Sequence, residues 1–213
     1  MMIEKIKNFL KLNKKNTSPN DVYAKIDELY NSLGSDDICI QVGTDLAPFA
    51  EKFCERIHEV RQKLADETGL ILPPVRLIDN LNIQENEYKI IIRDLEAFSG
   101  YTVPKEDYAS NEIMRALENT CIEHVDRVMT NEMVEKYMDR VHKNNGWMMC
   151  YLSRLMPSTG IKVILTDLIK NGQSINDIDY IFEKICEQAT KSRDIYTIPD
   201  AHKIAENLKT ELR

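Results

Sequence analysis

Between Arg56 and Arg93 the chain reads RIHEVRQKLADETGLILPPVRLIDNLNIQENEYKIIIR, which sets an amphipathic helix, a double proline and two strand-like runs in fixed order. Phe49, Phe53, Ile57, Val60 and Leu64 recur at three- and four-residue spacing, while Glu51, Lys52, Glu55, Glu59 and Lys63 fall elsewhere. One face of the helix is therefore apolar and needs a core to cover it. Gly69 stands just past the helix end, where positive φ is cheap for glycine. Pro73 and Pro74 cannot continue a helix, so a second strand is expected from Val75 to Ile78. Asp79, Asn80, Glu85 and Asn86 supply turn chemistry before Tyr88-Lys89-Ile90-Ile91-Ile92. These two strands are expected to form an antiparallel pair. Upstream, Ile38-Cys39-Ile40-Gln41-Val42-Gly43 is short, rich in β-branched residues and closed by glycine, which suits one buried strand.

After Pro104 the pattern turns helical. Ile113, Met114, Leu117, Cys121, Val125 and Val128 form one apolar stripe, and Met133, Val134, Tyr137, Met138 and Val141 form another. Asn144-Asn145-Gly146 breaks the run, and Trp147 to Met156 makes a short apolar helix ended by Pro157. Ile161 to Lys170, Ile175 to Thr190 and Asp200 to Leu212 supply three more, with Asn171-Gly172 and Pro199 as punctuation. The expected fold is α+β: a small βαββ unit with N-terminal helices, followed by a predominantly helical C-terminal subdomain. Residues 1–19 read as a basic amphipathic helix and linker, 20–103 as an N-terminal helix plus the βαββ subdomain, and 104–213 as the helical subdomain.

With 213 residues and 43% hydrophobic content the chain can bury a real core. Its 35 acidic residues outnumber 28 Lys and Arg, and the net charge of −7 gives no general attraction to nucleic acid. Five cysteines, at 39, 54, 121, 150 and 186, are widely spaced without a Cys-x-x-Cys pair, and are expected as reduced, buried thiols of a cytoplasmic protein. No secretory signal is evident, and no apolar run approaches the roughly 20 residues that span a bilayer.

Residues suited to catalysis do not assemble into a pattern. His58, His124, His142 and His202 lie far apart, and none forms a His-x-x-x-His pair, so neither a metal nor another cofactor is expected. Cys54 and His58 share neighbouring helix turns, but Cys54 abuts the apolar face and reads as a structural cysteine. Gly34, Gly43, Gly69 and Gly100 stand alone and make no phosphate loop. Asp36-Asp37 and Glu106-Asp107 suit solvated loops and helix starts. Met133, Met138, Met148, Met149 and Met156 with Trp147 could form an adaptable groove for a partner helix, although this spacing suits core. The expectation is therefore a protein without enzymatic activity.

Near the start, Met2, Ile3, Ile6, Phe9 and Leu10 could line one helical face beside Lys5, Lys7, Lys11, Lys14 and Lys15. Such a segment, residues 1–15, can lie on anionic lipid or dock on an acidic partner, or it can pack on its own domain. Asn16 to Asn20 reads as a linker, and a helix through Val22, Ile26, Leu29 and Leu33 follows.

Read together, Gly43, Arg61, Gln62, Leu64, Ala65, Gly69, Pro73-Pro74-Val75-Arg76, Asp79-Asn80-Leu81, Asn86 and Tyr88 resemble, in register, the soluble region of the export-gate proteins of flagellar and virulence type III secretion, the FHIPEP family. A weaker resemblance continues through Gly100-Tyr101-Thr102-Val103, Leu155-Met156-Pro157 and Ser174 to Ile178, with Asn176 where the family usually has arginine. It covers about Ile38 to Arg213. The family implies a large N-terminal membrane region, a small subdomain inserted between Gly100 and Tyr101, and a final subdomain after the helical part. None has a counterpart here, nor does the string Phe-His-Ile-Pro-Glu-Pro, so a reduced, soluble relative is expected. The resemblance implies an interaction module that contacts export chaperones, cargo or secretion ATPase components, with Arg61, Arg76, Asp79, Asn80, Asn86 and Tyr88 as a partner surface. It also leaves open a reassigned, self-associating scaffold with no secretion role, because relatives build rings.

Overall fold

The computed structural model describes residues 36–191 and 198–212, so the N-terminal basic segment and the helix expected from residue 20 lie outside the described residues. The buried run Ile38–Val42 forms β1. A short 3-10 turn over Ala47–Phe49 leads into α1, Ala50–Thr68, whose Phe53, Ile57, Val60 and Leu64 are buried as their spacing requires. Each such side chain is worth about 1.5–3 kcal/mol when fully removed from water. Phe49 sits before the helix and meets Phe53 edge to face. Helix α1 carries the chain back along the sheet, and β2, Val75–Asp79, runs parallel to β1. Strand β3, Glu87–Ile92, then pairs antiparallel with the other side of β1.

The sheet order is β2-β1-β3-β4, which corrects the expected pairing of the two strands around the Asp79–Asn86 turn. They are not neighbours, because β1 lies between them. The physical reason is burial. β1 is covered on both faces and takes a central position, while β2 is only half-buried and takes the edge. A helix between consecutive strands also favours the parallel crossover. The sheet holds one strand more than the sequence pattern revealed. β4, Leu95–Tyr101, forms a hairpin with β3, so Gly100 and Tyr101 belong to the sheet. The hairpin turn uses Arg93 and Asp94 at φ 47° and 63°. Two-residue turns of this hand ordinarily advertise themselves through Asn-Gly or Asp-Gly, and Arg-Asp gives no such signal.

The helical part begins with α2, Glu106–Glu123, whose first turn carries Glu106 and Asp107 at its electropositive end. A break at His124 separates it from the single turn α3, Val125–Val128. Thr130 caps α4, Asn131–Asn144, by accepting from Met133 N at 3.0 Å, and Asn145 caps α5, Gly146–Leu155, by accepting from Met148 N at 3.2 Å. Helix α6, Ser158–Lys170, buries Ile161, Ile164, Leu165, Leu168 and Ile169 and packs against α2, α3, α4 and the last helix. Helix α7 spans Ile178–Lys191, and α8, Ala201–Glu211, starts at the Asp200 cap. One apolar core runs without interruption from β1 and β3 to α8.

Two expectations about side chains are corrected. Trp147 is 79% exposed and stacks on Tyr151 outside the core, because it occupies the outer face of α5 while Met148, Met149 and Leu152 turn inward. Cys54 and Cys150 are exposed rather than buried, whereas Cys39, Cys121 and Cys186 are buried. Cys54 follows the buried Phe53 by one residue, and a step of one residue turns a helical side chain through about 100°. Burial pushes the Cys121 thiol up to about 12. Brief iodoacetamide treatment at neutral pH, read by peptide mass spectrometry, should label Cys54 and Cys150 and spare Cys39, Cys121 and Cys186 until the chain is unfolded.

Candidate interaction surface

The six residues singled out by the family pattern fall into an inner and an outer group. Arg61 lies on α1 and is partly buried; its Nε and Nη2 donate to Leu72 O at 3.3 and 3.1 Å. It serves a loop carbonyl that the following Pro73-Pro74 pair leaves without a neighbouring N–H. Tyr88 is 2% exposed, and its ring packs 5.8 Å from Phe98. Burial, reinforced by the Glu112 carboxylate, pushes its phenol up to about 12. Asn80 donates from Nδ2 to Gln41 Oε1 at 2.7 Å and accepts from Asn82 N at 2.9 Å, which closes the loop after β2. Asn86 accepts at its backbone oxygen from Thr102 N at 3.0 Å, tying the end of β4 to the start of β3.

Arg76 and Asp79 are different, since both side chains are exposed on β2. Arg76 reaches Asp36 at 3.0 Å, a surface pair of small energetic weight. Among the described residues β2 is an edge strand. Asn80 N donates to Val42 O at 2.9 Å, so alternation along the strand turns the N–H and C=O groups of Val75, Leu77 and Asp79 toward the open side. Beyond β2, Leu81 is 78% exposed. Asp79, Asn80, Leu81 and Asn86 gather at one end of the parallel pair, where the Gln84-Glu85 backbone lies so close to Gly43 that a Cβ there would overlap both carbonyl oxygens. Arg61 and Arg76 belong to the opposite end.

That opposite end opens into a cleft of about 680 Å³ between the α1–β2 turn and α4. One wall is Ala65, Gly69 and Ile71 to Pro74; the other is Met133, Lys136, Tyr137 and Arg140, with Ile175, Asn176 and Ile178 at the base. The walls are joined across the cleft. Tyr137 Oη donates to Gly69 O at 2.8 Å and accepts from Ile71 N at 3.2 Å. Ile175 N donates to Thr68 O at 2.9 Å, and Asn176 Nδ2 donates to Asp66 O. Gly69 has φ 79°, and a Cβ there would meet Ile175 Cγ1 and Asn176 N within 2.9 Å, so glycine is required twice over. The sequence pattern puts Tyr137 in a core stripe, where it is buried, and gives no sign of Ile71 or Arg140. The spacing Met133, Tyr137, Arg140 was the available signal for a helix face that ends in a charge.

The FHIPEP family model matches residues 2–113. The flagellar biosynthesis protein FlhA of Caulobacter vibrioides is 35% identical over 74 residues, which is 32% of this chain and 11% of that protein. The chain thus matches about a tenth of the length of that relative. The structure resembles that of the Chlamydia pneumoniae CdsV and CdsO protein complex, with a TM-score of 0.72 and 14% identity over 84% of this chain and 66% of the other. It also resembles nonameric EPEC SctV-C, with a TM-score of 0.66 and 13% identity over 91% and 66% of the two chains. At these identities the structural likeness is one of fold.

Two outcomes test the inner residues. Tyr137→Phe should leave the Gly69 carbonyl and the Ile71 N–H without their partner and lower unfolding free energy by about 1–3 kcal/mol, measured by urea denaturation. For Tyr88 the folded-state value of about 12 lies above the roughly 10 of an unfolded tyrosine. Its stabilisation is complete below pH about 10 and is lost as pH rises toward 12, because the unfolded chain releases the proton first. Tyr88→Phe should flatten that part of the stability-versus-pH curve.

Proposed function

Because the chain belongs to the FHIPEP family of export-gate proteins, we propose that it acts as a non-enzymatic interaction module in flagellar or type III protein export, binding secretion components or cargo on the cytoplasmic side. The observation that carries this reading is the outer edge of β2. Among the described residues it combines unpaired backbone groups at Val75, Leu77 and Asp79 with two exposed charges of opposite sign, Arg76 and Asp79, and with the exposed Leu81. An extended segment of a partner can add to such an edge through main-chain hydrogen bonds, while side chains on either side set specificity. Export chaperones, cargo and secretion ATPase components are the partner classes this reading takes. In it, Arg61, Asn80, Asn86 and Tyr88 hold the surface in shape from behind, and Arg76 and Asp79 meet the partner.

The subdomain division at residues 103 and 104 belongs to the same reading, with the sheet presenting the edge and the helices supporting it. Among the described residues no helix is long and apolar enough to cross a membrane. Peripheral contact with lipid through residues 1–15, which lie outside the described residues, stays a proposal that liposome co-sedimentation before and after their deletion would test. A second reading is a self-associating scaffold without a secretion role, and the nonameric state of EPEC SctV-C supports its self-association.

The double variant Arg76→Glu/Asp79→Lys should fold normally, because exposed substitutions of this kind change stability by about 0.5 kcal/mol or less. Capture of the tagged full chain from its native cells, followed by mass spectrometry, should recover export chaperones, ATPase components or cargo. The double variant should lose at least about tenfold of that recovery, equivalent to roughly 1.4 kcal/mol of binding. Recovery of the chain alone, together with concentration-dependent assembly in light scattering, would instead support the scaffold.

A further inference from the structure

The sheet has a second open edge. Among the described residues β4 has β3 on one side and no strand on the other. Thr102 N donates to Asn86 O at 3.0 Å, so alternation turns the N–H and C=O groups of Ser99 and Tyr101 away from β3. A register shift between Ile90 and Ile91 bulges the first half of β4, whereas Phe98 to Tyr101 pair regularly with Glu87 to Ile90. Edge strands are ordinarily guarded along their length by bulges, lysines or prolines. From Ala97 to Val103 this edge has no charged side chain and no proline. Phe98, Tyr101 and Val103 are exposed there, Tyr101 to 54%. Pro104 then ends the run.

We propose that the β4 edge pairs with the same edge of a second copy of this chain, antiparallel and centred on Gly100, to close a twofold dimer. The segment is complementary to itself in that register. Ser99 of each copy faces Tyr101 of the other, and each of these pairs exchanges two main-chain hydrogen bonds through the groups that β3 leaves open. A small side chain thus lies beside a large one on the outer face. Gly100 faces Gly100 at the intervening position, where side chains of paired strands come closest and glycine has none. On the inner face Phe98 leans over its own Gly100, where a Cβ would lie 3.0 Å from the ring, and so covers the glycine pair. No charge is set against its like. Glu96 falls beside Pro104 of the second copy and is already held by Lys89 at 2.8 Å. An isologous contact of this kind consumes both edges and stops at two copies. It leaves β2, at the other end of the sheet order, open, and so stands independently of what binds there. Two chains of net charge −7 repel at long range, so the contact should tighten with salt, the reverse of a contact between opposite charges.

Sedimentation equilibrium of the full chain should show a monomer–dimer equilibrium that tightens at least about threefold between about 0.05 and about 0.5 M salt. Amide exchange, followed by NMR, should slow at Ser99 and Tyr101 as protein concentration rises and stay unchanged at Val75, Leu77 and Asp79. Ser99→Lys/Tyr101→Lys places like charges opposite each other in both pairs and should weaken the dimer at least about tenfold. Ser99→Glu/Tyr101→Glu should do the same. Mixing the two variants should restore a one-to-one dimer, because lysine then faces glutamate, and that rescue separates a lost contact from a misfolded chain. A wild-type chain that stays monomeric at about millimolar concentration would overturn the proposal. So would assembly beyond two copies, a dimer indifferent to the lysine pair, or association that leaves exchange at Ser99 and Tyr101 unchanged.

Discussion

The backbone between Asp66 and Ile71 is the joint on which the described structure depends. It leaves α1 through a left-handed glycine, and its polar groups are satisfied by the helical part: Tyr137 serves Gly69 O and Ile71 N, Ile175 N serves Thr68 O, and Asn176 serves Asp66 O. Helix ends leave carbonyls without intrahelical partners, and burying them unsatisfied would cost about 1–3 kcal/mol each. The helices thus complete α1 as much as they cover the sheet. Side-chain bonds between Lys63 and Glu118 and between Arg56 and Asn111 repeat the connection at the α1–α2 contact.

This joint explains why the residues that carry the family resemblance are mostly interior or backbone-directed. Gly43 admits the Gln84-Glu85 loop, Gly69 admits Ile175 and Asn176, Arg61 serves Leu72, and Tyr88 fills the sheet's buried face. Such positions define a scaffold, and a scaffold does not by itself define a partner. What remains for recognition is the geometry left outside it: the open sides of β2 and β4. The cleft that the joint spans exists because Tyr137 crosses between its walls near the base while Ile71 and Arg140 stay outside the packed core.

Much of this was legible locally. The apolar spacing of α1, the Gly69 stop, the Pro73-Pro74 break and the interruption at Asn144-Asn145-Gly146 all act within a few residues, and the structure has them where the sequence puts them. The fourth strand was not legible, because its turn is made by Arg93 and Asp94 in a backbone conformation that no glycine announces. Trp147 was misplaced for a related reason. An aromatic residue beside three buried neighbours suits a core, and its position on the outer face of α5 depends on which side α7 and α4 occupy.

By itself the sequence determined the fold class, the family and the course of most helices, because periodicity and glycine or proline chemistry are short-range, but it showed neither β4 nor the break at His124. The tertiary structure alone decided which strands are neighbours, which of Arg61, Arg76, Asp79, Asn80, Asn86 and Tyr88 face solvent, and where a cleft opens. Those outcomes depend on contacts between residues up to about a hundred positions apart, such as Asn176 with Asp66, and no local pattern encodes which partner completes a buried hydrogen bond.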